Sequence, residues 1–277
     1  MKKYAFLRFP GFKRKAVTLS YDDGTKYDEK FIDILDKFGL KATFNINSGL
    51  FYPVGDEKRM SASQAVSLYK NSGHEVAVHG AKHLSLAEVP PEAAIRDIME
   101  DRIALEKLFE KIISGMAYAN GSYTDKVVEM LKICGIKYAR TTVSTERFDI
   151  PEDWLRLPTT CHHNNPRLMQ LADEFLKCPE SGVFWQNTPR LFYLWGHSYE
   201  FHNNDNWEVI EKFAEKIGNR EDVWYATNGE IYDYVRAFEM LEYSVENNII
   251  KNFSDKEVYL CFYGKNIKVP AGKETIL

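Results

Sequence analysis

The stretch "SYDDGTKYDEKFIDIL", residues 20–35, sets two adjacent carboxylates, Asp22 and Asp23, directly after a short apolar run, Ala16-Val17-Thr18-Leu19. Gly24 follows at once. Phe31, Ile34, Leu35 and Phe38 then fall at i, i+3, i+4 and i+7, the spacing of an amphipathic helix that Gly39 stops. A buried strand that ends in two like charges and turns straight into a helix is the first unit of an α/β chain.

The same alternation runs on for most of the length. Strands are expected over 16–20, 41–47, 74–80, 114–119, 136–141, 190–196 and 222–226. Between them, helical periodicity covers 27–38, 61–73, 91–112, 124–135, about 166–177, 207–217 and 229–241, with Thr124 as an N-cap and Gly135 as a stop. An irregular stretch reaches to about residue 165. Strands separated by helices imply a mainly parallel sheet wrapped by helices, either a barrel or an open doubly wound sheet. The last 35 or so residues carry Asn, Gly and short β-rich runs without a helical period, and read as a small β appendage. The expected division is 1–241 for the main domain and 242–277 for the appendage.

The chain has 277 residues, 44% apolar, enough for a large core. Its net charge of −4 leaves no basic footprint for a nucleic acid. No run of 18 apolar residues predicts a membrane span. The opening "MKKYAFLRFPGFKRKAVTLS" has no signal-peptide core, so a cytoplasmic protein is expected. Cys134, Cys161, Cys178 and Cys261 are far apart and read as reduced, mostly buried thiols.

In parallel α/β folds the reactive groups collect where loops leave the C-terminal ends of strands. Asp22 and Asp23 follow the first strand, His79 closes "HEVAVH" with His83 four residues on, and His197 follows "RLFYLWG". Residues four apart share a face if the loop turns into a helix, so His79 and His83 with one carboxylate can form a facial metal triad. Asp23 as ligand would leave Asp22 beside it as a base. Each motif alone has an ordinary reading, as capping histidines or a capped turn; their conjunction at strand ends is more specific. His162-His163 lies in the irregular stretch; lining the pocket is one reading, and a solvated loop pair is the preferred one. His74 and His202 read as structural or exposed.

In this order and spacing, "TLSYDDG", "HEVAVHGAKHLSL" and "LWGHSYEF" resemble the motifs of the polysaccharide deacetylases, the NodB-homology superfamily or carbohydrate esterase family four, from about residue 14 to about 236. The resemblance implies a distorted, incomplete, seven-stranded TIM-like (β/α) barrel. It also implies a hydrolase in which one divalent metal (zinc first, cobalt or nickel as alternatives) serves to remove acetyl groups from a sugar. Carried over, Asp22 is the catalytic base, Asp23, His79 and His83 are the metal ligands, and His197 protonates the leaving amine. The family's third motif normally supplies an arginine that tethers the base. Here "MAYANGSY" has Ala117 at that place, and Arg140 in "IKYART" is the candidate substitute. The backbone N–H of Asn120 is a candidate oxyanion donor, and Trp195 and Tyr199 are candidate sugar-stacking residues. Asp153-Trp154 loosely echoes the fourth motif. The expected partner is an acetylated sugar or oligosaccharide, with no nucleic acid, no membrane and homo-oligomers open. The rival readings are a non-catalytic carbohydrate binder on the same fold and an amidohydrolase of a small non-sugar amide.

Overall fold

A computed structural model describes residues 4–177 and 188–277 of the chain. In chain order its elements begin with β1 (Ala5–Arg8), β2 (Lys15–Asp22), α1 (Asp28–Lys37), β3 (Ala42–Ile46), α2 (Ala62–Tyr69), β4 (Glu75–Val78), α3 (Pro91–Phe109), β5 (Gly115–Ala117) and α4 (Asp125–Ile133). They continue with β6 (Tyr138–Ser144), β7 (Leu157–Thr159), β8 (Cys161–His162), α5 (Leu168–Leu176), β9 (Arg190–Gly196), α6 (Ser198–Asn203), α7 (Glu208–Ile217), β10 (Val223–Tyr225) and α8 (Asn228–Glu239). The last strands are β11 (Glu242–Tyr243), β12 (Ile249–Lys251), β13 (Val258–Phe262), β14 (Lys265–Val269) and β15 (Glu274–Ile276).

The main sheet is parallel and runs β7-β6-β5-β4-β3-β2-β9-β8, with β10 beside the start of β2. Its two ends are successive halves of one segment. Leu157 and Thr159 pair with β6, and Cys161 and His162 pair with Leu194 and Trp195 of β9. One six-residue stretch therefore joins both edges, and the sheet curls back on itself. Counting that stretch once gives eight strand positions where seven were expected. The additional one lies in the region read as irregular.

Alternation along β2 explains the layering. Every residue of this strand is buried, as expected of a parallel sheet covered on both faces. Val17, Leu19 and Tyr21 join Phe31 and Leu35 of α1 and Phe213 and Ile217 of α7 in the largest apolar cluster. The intervening Thr18, Ser20 and Asp22 are polar and just as buried, so they face the inside of the curl. The helix signals hold: Thr124 Oγ1 accepts from the Val127 N–H, and Gly39 and Gly135 take φ of 66° and 70° after their helices.

The terminal segments make two small antiparallel sheets, β1-β13-β14 and β11-β12-β15. β1 pairs with β13, Ala5 opposite Phe262, a partner some 250 positions away that no local pattern announces. Leu260, Phe262 and Val269 pack with Ala237 and Leu241 at the end of α8. Among the described residues, Cys134, Cys161 and Cys261 are free and buried, while Cys178 lies outside them. No helix among them is long and apolar enough to cross a membrane.

Candidate active site

Adjacent residues of a regular strand point to opposite faces. Asp22 and Asp23 escape this because Asp23 leaves the strand in the left-handed region, φ 84°, which swings its side chain back over the barrel mouth. Both carboxylates then approach one imidazole, with Asp22 Oδ2 3.8 Å and Asp23 Oδ1 3.9 Å from Nε2 of His79. Each has its own cation. Asp22 Oδ2 accepts from the Arg140 guanidinium, and its Oδ1 accepts from Asn45 Nδ2 at 2.8 Å. Asp23 Oδ1 lies 3.2 Å from Nη2 of Arg59, whose Nη1 also donates to the Asp23 carbonyl and to Asn47 Oδ1. Burial works to raise the Asp22 pKa, but Arg140, His79 and His197 together hold it below the ordinary carboxylate value.

Arg140 is fully buried on β6. The guanidinium on Asp22 thus comes from the strand after "MAYANGSY", at the position the sequence offered as the substitute.

His79 follows β4. Its backbone N–H bonds the Ile46 carbonyl and Asp101 Oδ2, and its Nδ1 sits 2.9 Å from the Ala117 carbonyl. Nδ1–H donates there, which leaves the Nε2 lone pair facing the two carboxylates. Burial pushes the His79 pKa down, favouring this neutral form.

His83 reaches the same point without a helix. The expected helical turn between the two histidines is absent; residues 79–84 form a loop in which Gly80 takes φ 80° and His83 φ 56°. A Cβ on Gly80 would lie 2.3 Å from Asp97 Oδ2, so the turn requires glycine. The loop sets His83 Nε2 3.6 Å from Asp23 Oδ1. Donor atoms of Asp23, His79 and His83 lie within 4.8 Å of one another.

His197 leads from β9 into α6, its Nε2 3.9 Å from Asp22 Oδ2 and its Nδ1 3.5 Å from Oε1 of Glu200. Burial works to lower its pKa, but Glu200 and Asp22 raise it above the ordinary histidine value. Tyr199 stands with its ring 5.1 Å from that of His197. Trp195 is sandwiched, with the Arg140 guanidinium 4.5 Å over its ring and His162 edge-on at 4.5 Å, which holds Arg140 in place. Asn120 follows β5 with φ 56° and donates from Nδ2 to Ser85 Oγ in the loop beyond His83.

His162 and His163 are not a solvated pair. β8 pairs with β9, and the His163 N–H bonds the Trp195 carbonyl at 3.0 Å. His163 is 1% exposed, and both imidazoles contact Glu200. The isolated "CHH" gave no alternation from which to read this. Asp153-Trp154 is elsewhere: Asp153 pairs with Arg156 at 2.6 Å, and Trp154 packs in a second apolar cluster with Tyr232. His74 is buried, accepting from the Ala42 N–H, and His202 stacks on Tyr27 at 4.3 Å between ring centres.

The polysaccharide deacetylase family model matches residues 10–139. No curated protein matches the chain. Among solved structures, a putative polysaccharide deacetylase from Mycobacterium smegmatis is similar at a TM-score of 0.59 and 16% identity, covering 84% of this chain and 94% of that one. The peptidoglycan deacetylase PdaC from Bacillus subtilis is similar at a TM-score of 0.52 and 16% identity, covering 82% of this chain and 94% of that one. The deacetylase PplD from Streptococcus pyogenes, in complex with acetate, shares 24% identity at a TM-score of 0.46. That match covers 50% of this chain and 59% of PplD, less than two thirds of its length. At such identities the likenesses to the Mycobacterium smegmatis and Bacillus subtilis structures establish the fold alone, an α/β sheet of the deacetylase (β/α)-barrel type.

Proposed function

With a polysaccharide deacetylase domain over residues 10–139, the chain is, we propose, a metal-dependent hydrolase that removes acetyl groups from an N- or O-acetylated carbohydrate. The observation that carries this is the convergence of five polar side chains from three strand ends. Asp22, Asp23, His79, His83 and His197 are linked by contacts of 3.6 to 3.9 Å at one barrel mouth.

Asp23, His79 and His83 are the residues that would hold the metal, and their atoms fit one. Zinc bonds of about 2.0–2.2 Å to His nitrogen and carboxylate oxygen put neighbouring donors roughly 3.3–4 Å apart on an open site. The contacts of 3.6 and 3.9 Å lie in that range. The bond from His79 to the Ala117 carbonyl selects the tautomer a ligand needs. When bound there, a divalent metal supplies Lewis-acid polarisation of an acetyl carbonyl and acidification of a water molecule.

The protein's own groups divide the proton work. Asp22, kept ionised by Arg140 and aimed by Asn45, accepts a proton at Oδ2. His197, whose raised pKa favours the imidazolium, offers one from Nε2 to the leaving amine. The two groups oppose each other across 3.9 Å, and an acid and a base of opposite charge keep each other in the working state. The binding-protein alternative drew its main support from the missing third-motif arginine, and the Arg140–Asp22 contact supports the enzyme reading instead.

The test is acetate release from N-acetylglucosamine oligomers alongside metal analysis. The wild type should release acetate with about one metal per chain. Asp22→Asn should keep the metal and lose at least about a hundredfold in rate, and Asp23→Ala should lose the metal. Full activity in Asp22→Asn would remove Asp22 as the base.

A further inference from the structure

Outside the five residues above, one cluster at the same mouth is unexplained. Glu200, on α6, carries three imidazoles around a single carboxylate. His163 Nε2 is 2.9 Å and His162 Nε2 3.3 Å from its Oε2, and His197 Nδ1 is 3.5 Å from its Oε1. Glu200 Oε2, His163 Nε2 and His197 Nδ1 are buried and make no aligned hydrogen bond among the described residues; their contacts, 2.9 Å between Glu200 and His163 and 3.5 Å between Glu200 and His197, are with one another. They depend on one another.

The protons can be placed from the far sides of the rings. The Asn164 backbone N–H donates to Nδ1 of His162 at 3.1 Å, so neutral His162 carries its proton on Nε2, toward Glu200. The Tyr21 hydroxyl lies 3.3 Å from Nδ1 of His163. Burial first, then Glu200, keep that hydroxyl protonated. With it donating to Nδ1, His163 also turns an Nε2–H toward Oε2.

We infer that Glu200 is a positioning residue for His197: His162 and His163 clamp its Oε2 with two N–H groups, and its Oε1 fixes a proton on Nδ1 of His197. The atom left to deliver a proton beside Asp22 is then Nε2. The inference rests on the reading of His197 as the acid. A glutamate three residues along a short helix would otherwise be free to swing into solvent, so the clamp matters. His163 itself cannot drift, because its ring packs on Phe201 and over Gly196, where a Cβ would lie 2.0 Å from His163 Nδ1. The charges agree. Burial works to raise the Glu200 pKa, but the three imidazoles hold it well below the ordinary carboxylate value. Burial pushes His163 down to about 4, so it acts as a neutral donor.

The same three side chains, His162, His163 and Glu200, are also close enough to hold a cation. The Asn164 bond argues against that use, because it occupies the one lone pair of neutral His162 and puts a hydrogen where a metal would need electrons.

The experiment is side-chain nitrogen NMR of the histidines in the zinc-loaded full chain, with zinc content and acetate-release kinetics measured in parallel. The groups acting on His197 are Glu200, Asp22, Asp23, His163 and Tyr199, with His162 and Trp195 about 6 Å away ring to ring. In Glu200→Gln only the first changes. The His197 titration midpoint should fall by about one unit or more, and its neutral form should shift from Nδ1–H toward Nε2–H. kcat should drop with KM and zinc content unchanged. His162→Ala, at a half-buried position, should give a smaller fall in the same midpoint. An unchanged midpoint and tautomer in Glu200→Gln overturns the inference. So does a second equivalent of zinc that Glu200→Gln abolishes, since the cluster would then be a metal site. A wild type with the expected NMR response but no acetate release on any sugar sinks the deacetylase reading and leaves the Glu200–His197 coupling standing.

Discussion

Two adjacent carboxylates share one buried site because each is paired with a separate guanidinium, Arg140 for Asp22 and Arg59 for Asp23. The left-handed backbone of Asp23 is held by the same Arg59, which bonds both its carbonyl and its carboxylate. Neither arginine stands near the aspartates in the chain; the sequence offered Arg140 as a substitute tether and gave no sign of Arg59. For Asp22 the dependence is steep. Arg140 is fully buried and Asp22 is 3% exposed, and removing one member of such a pair leaves a charge with no compensation. Arg140→Met should cost about 3–5 kcal/mol in urea unfolding. Asp22→Asn in the same background should recover a good part of that loss, giving a clear coupling in the double-mutant cycle. Additive effects would mean that Arg140 packs under Trp195 without serving Asp22.

At the scale of elements, the long strands and helices were legible because each carries its own period and its own stop. Gly39 and Gly135 are such stops, and "RLFYLWG" forms β9 over the residues expected. What escaped has partners far away or too few residues to show a period. β1 depends on β13, and β7 and β8 are three and two residues long, with a proline inside the first. α6, which carries Glu200, has six residues. The candidate site followed the same division: its five residues close or follow strands long enough to show a pattern, and the histidine pair at the end of β8 does not. His79 and His83 do come to one point, but a loop with left-handed Gly80 and His83 replaces the helical turn that the spacing suggested. Asp97 of α3 holds that loop, accepting from the Lys82 N–H at 2.8 Å and, through its carbonyl, from the Ala81 N–H at 3.1 Å. Gly80→Ala would drive a methyl group into Asp97 while forcing an L-residue to φ 80°. Zinc affinity should fall by roughly 10–100-fold, the range seen when a ligand's supporting contacts are lost, with the circular dichroism spectrum unchanged. Competition with a chromophoric chelator measures it, and unaltered affinity would show that His83 is placed by something other than this turn.

For the whole molecule, the barrel mouth is tied to its helices by a second buried carboxyl. Asp28 of α1 is fully buried and accepts from the hydroxyls of Tyr69 on α2 and Ser198 on α6, while Ser198 also meets Thr25 Oγ1 at 3.0 Å. The knot joins three helices and fixes the start of α6, from which Glu200 projects. Burial is the main cause of an Asp28 pKa raised to about 7, partly offset by the two hydroxyls. The sign follows from linkage. The unfolded chain releases this proton near 4, whereas the folded protein holds it to about 7. The contribution to stability is therefore complete below about pH 4 and is lost as pH rises toward 7, on the order of 4 kcal/mol in all. Asp22, with its lowered pKa, acts in the opposite sense and in a different window, losing its contribution only as pH falls below the ordinary carboxylate range. Between pH 5 and 8 the wild type should thus lose stability steadily. Asp28→Asn, which keeps the size of the side chain and lets the two hydroxyls reorient, should be less stable at pH 5 and close the gap by pH 8. Urea midpoints of both proteins at the two pH values decide it. A deficit of the same size at both would mean that Asp28 is ionised in the fold, with the Tyr69 and Ser198 hydroxyls supporting a buried charge instead of a buried acid.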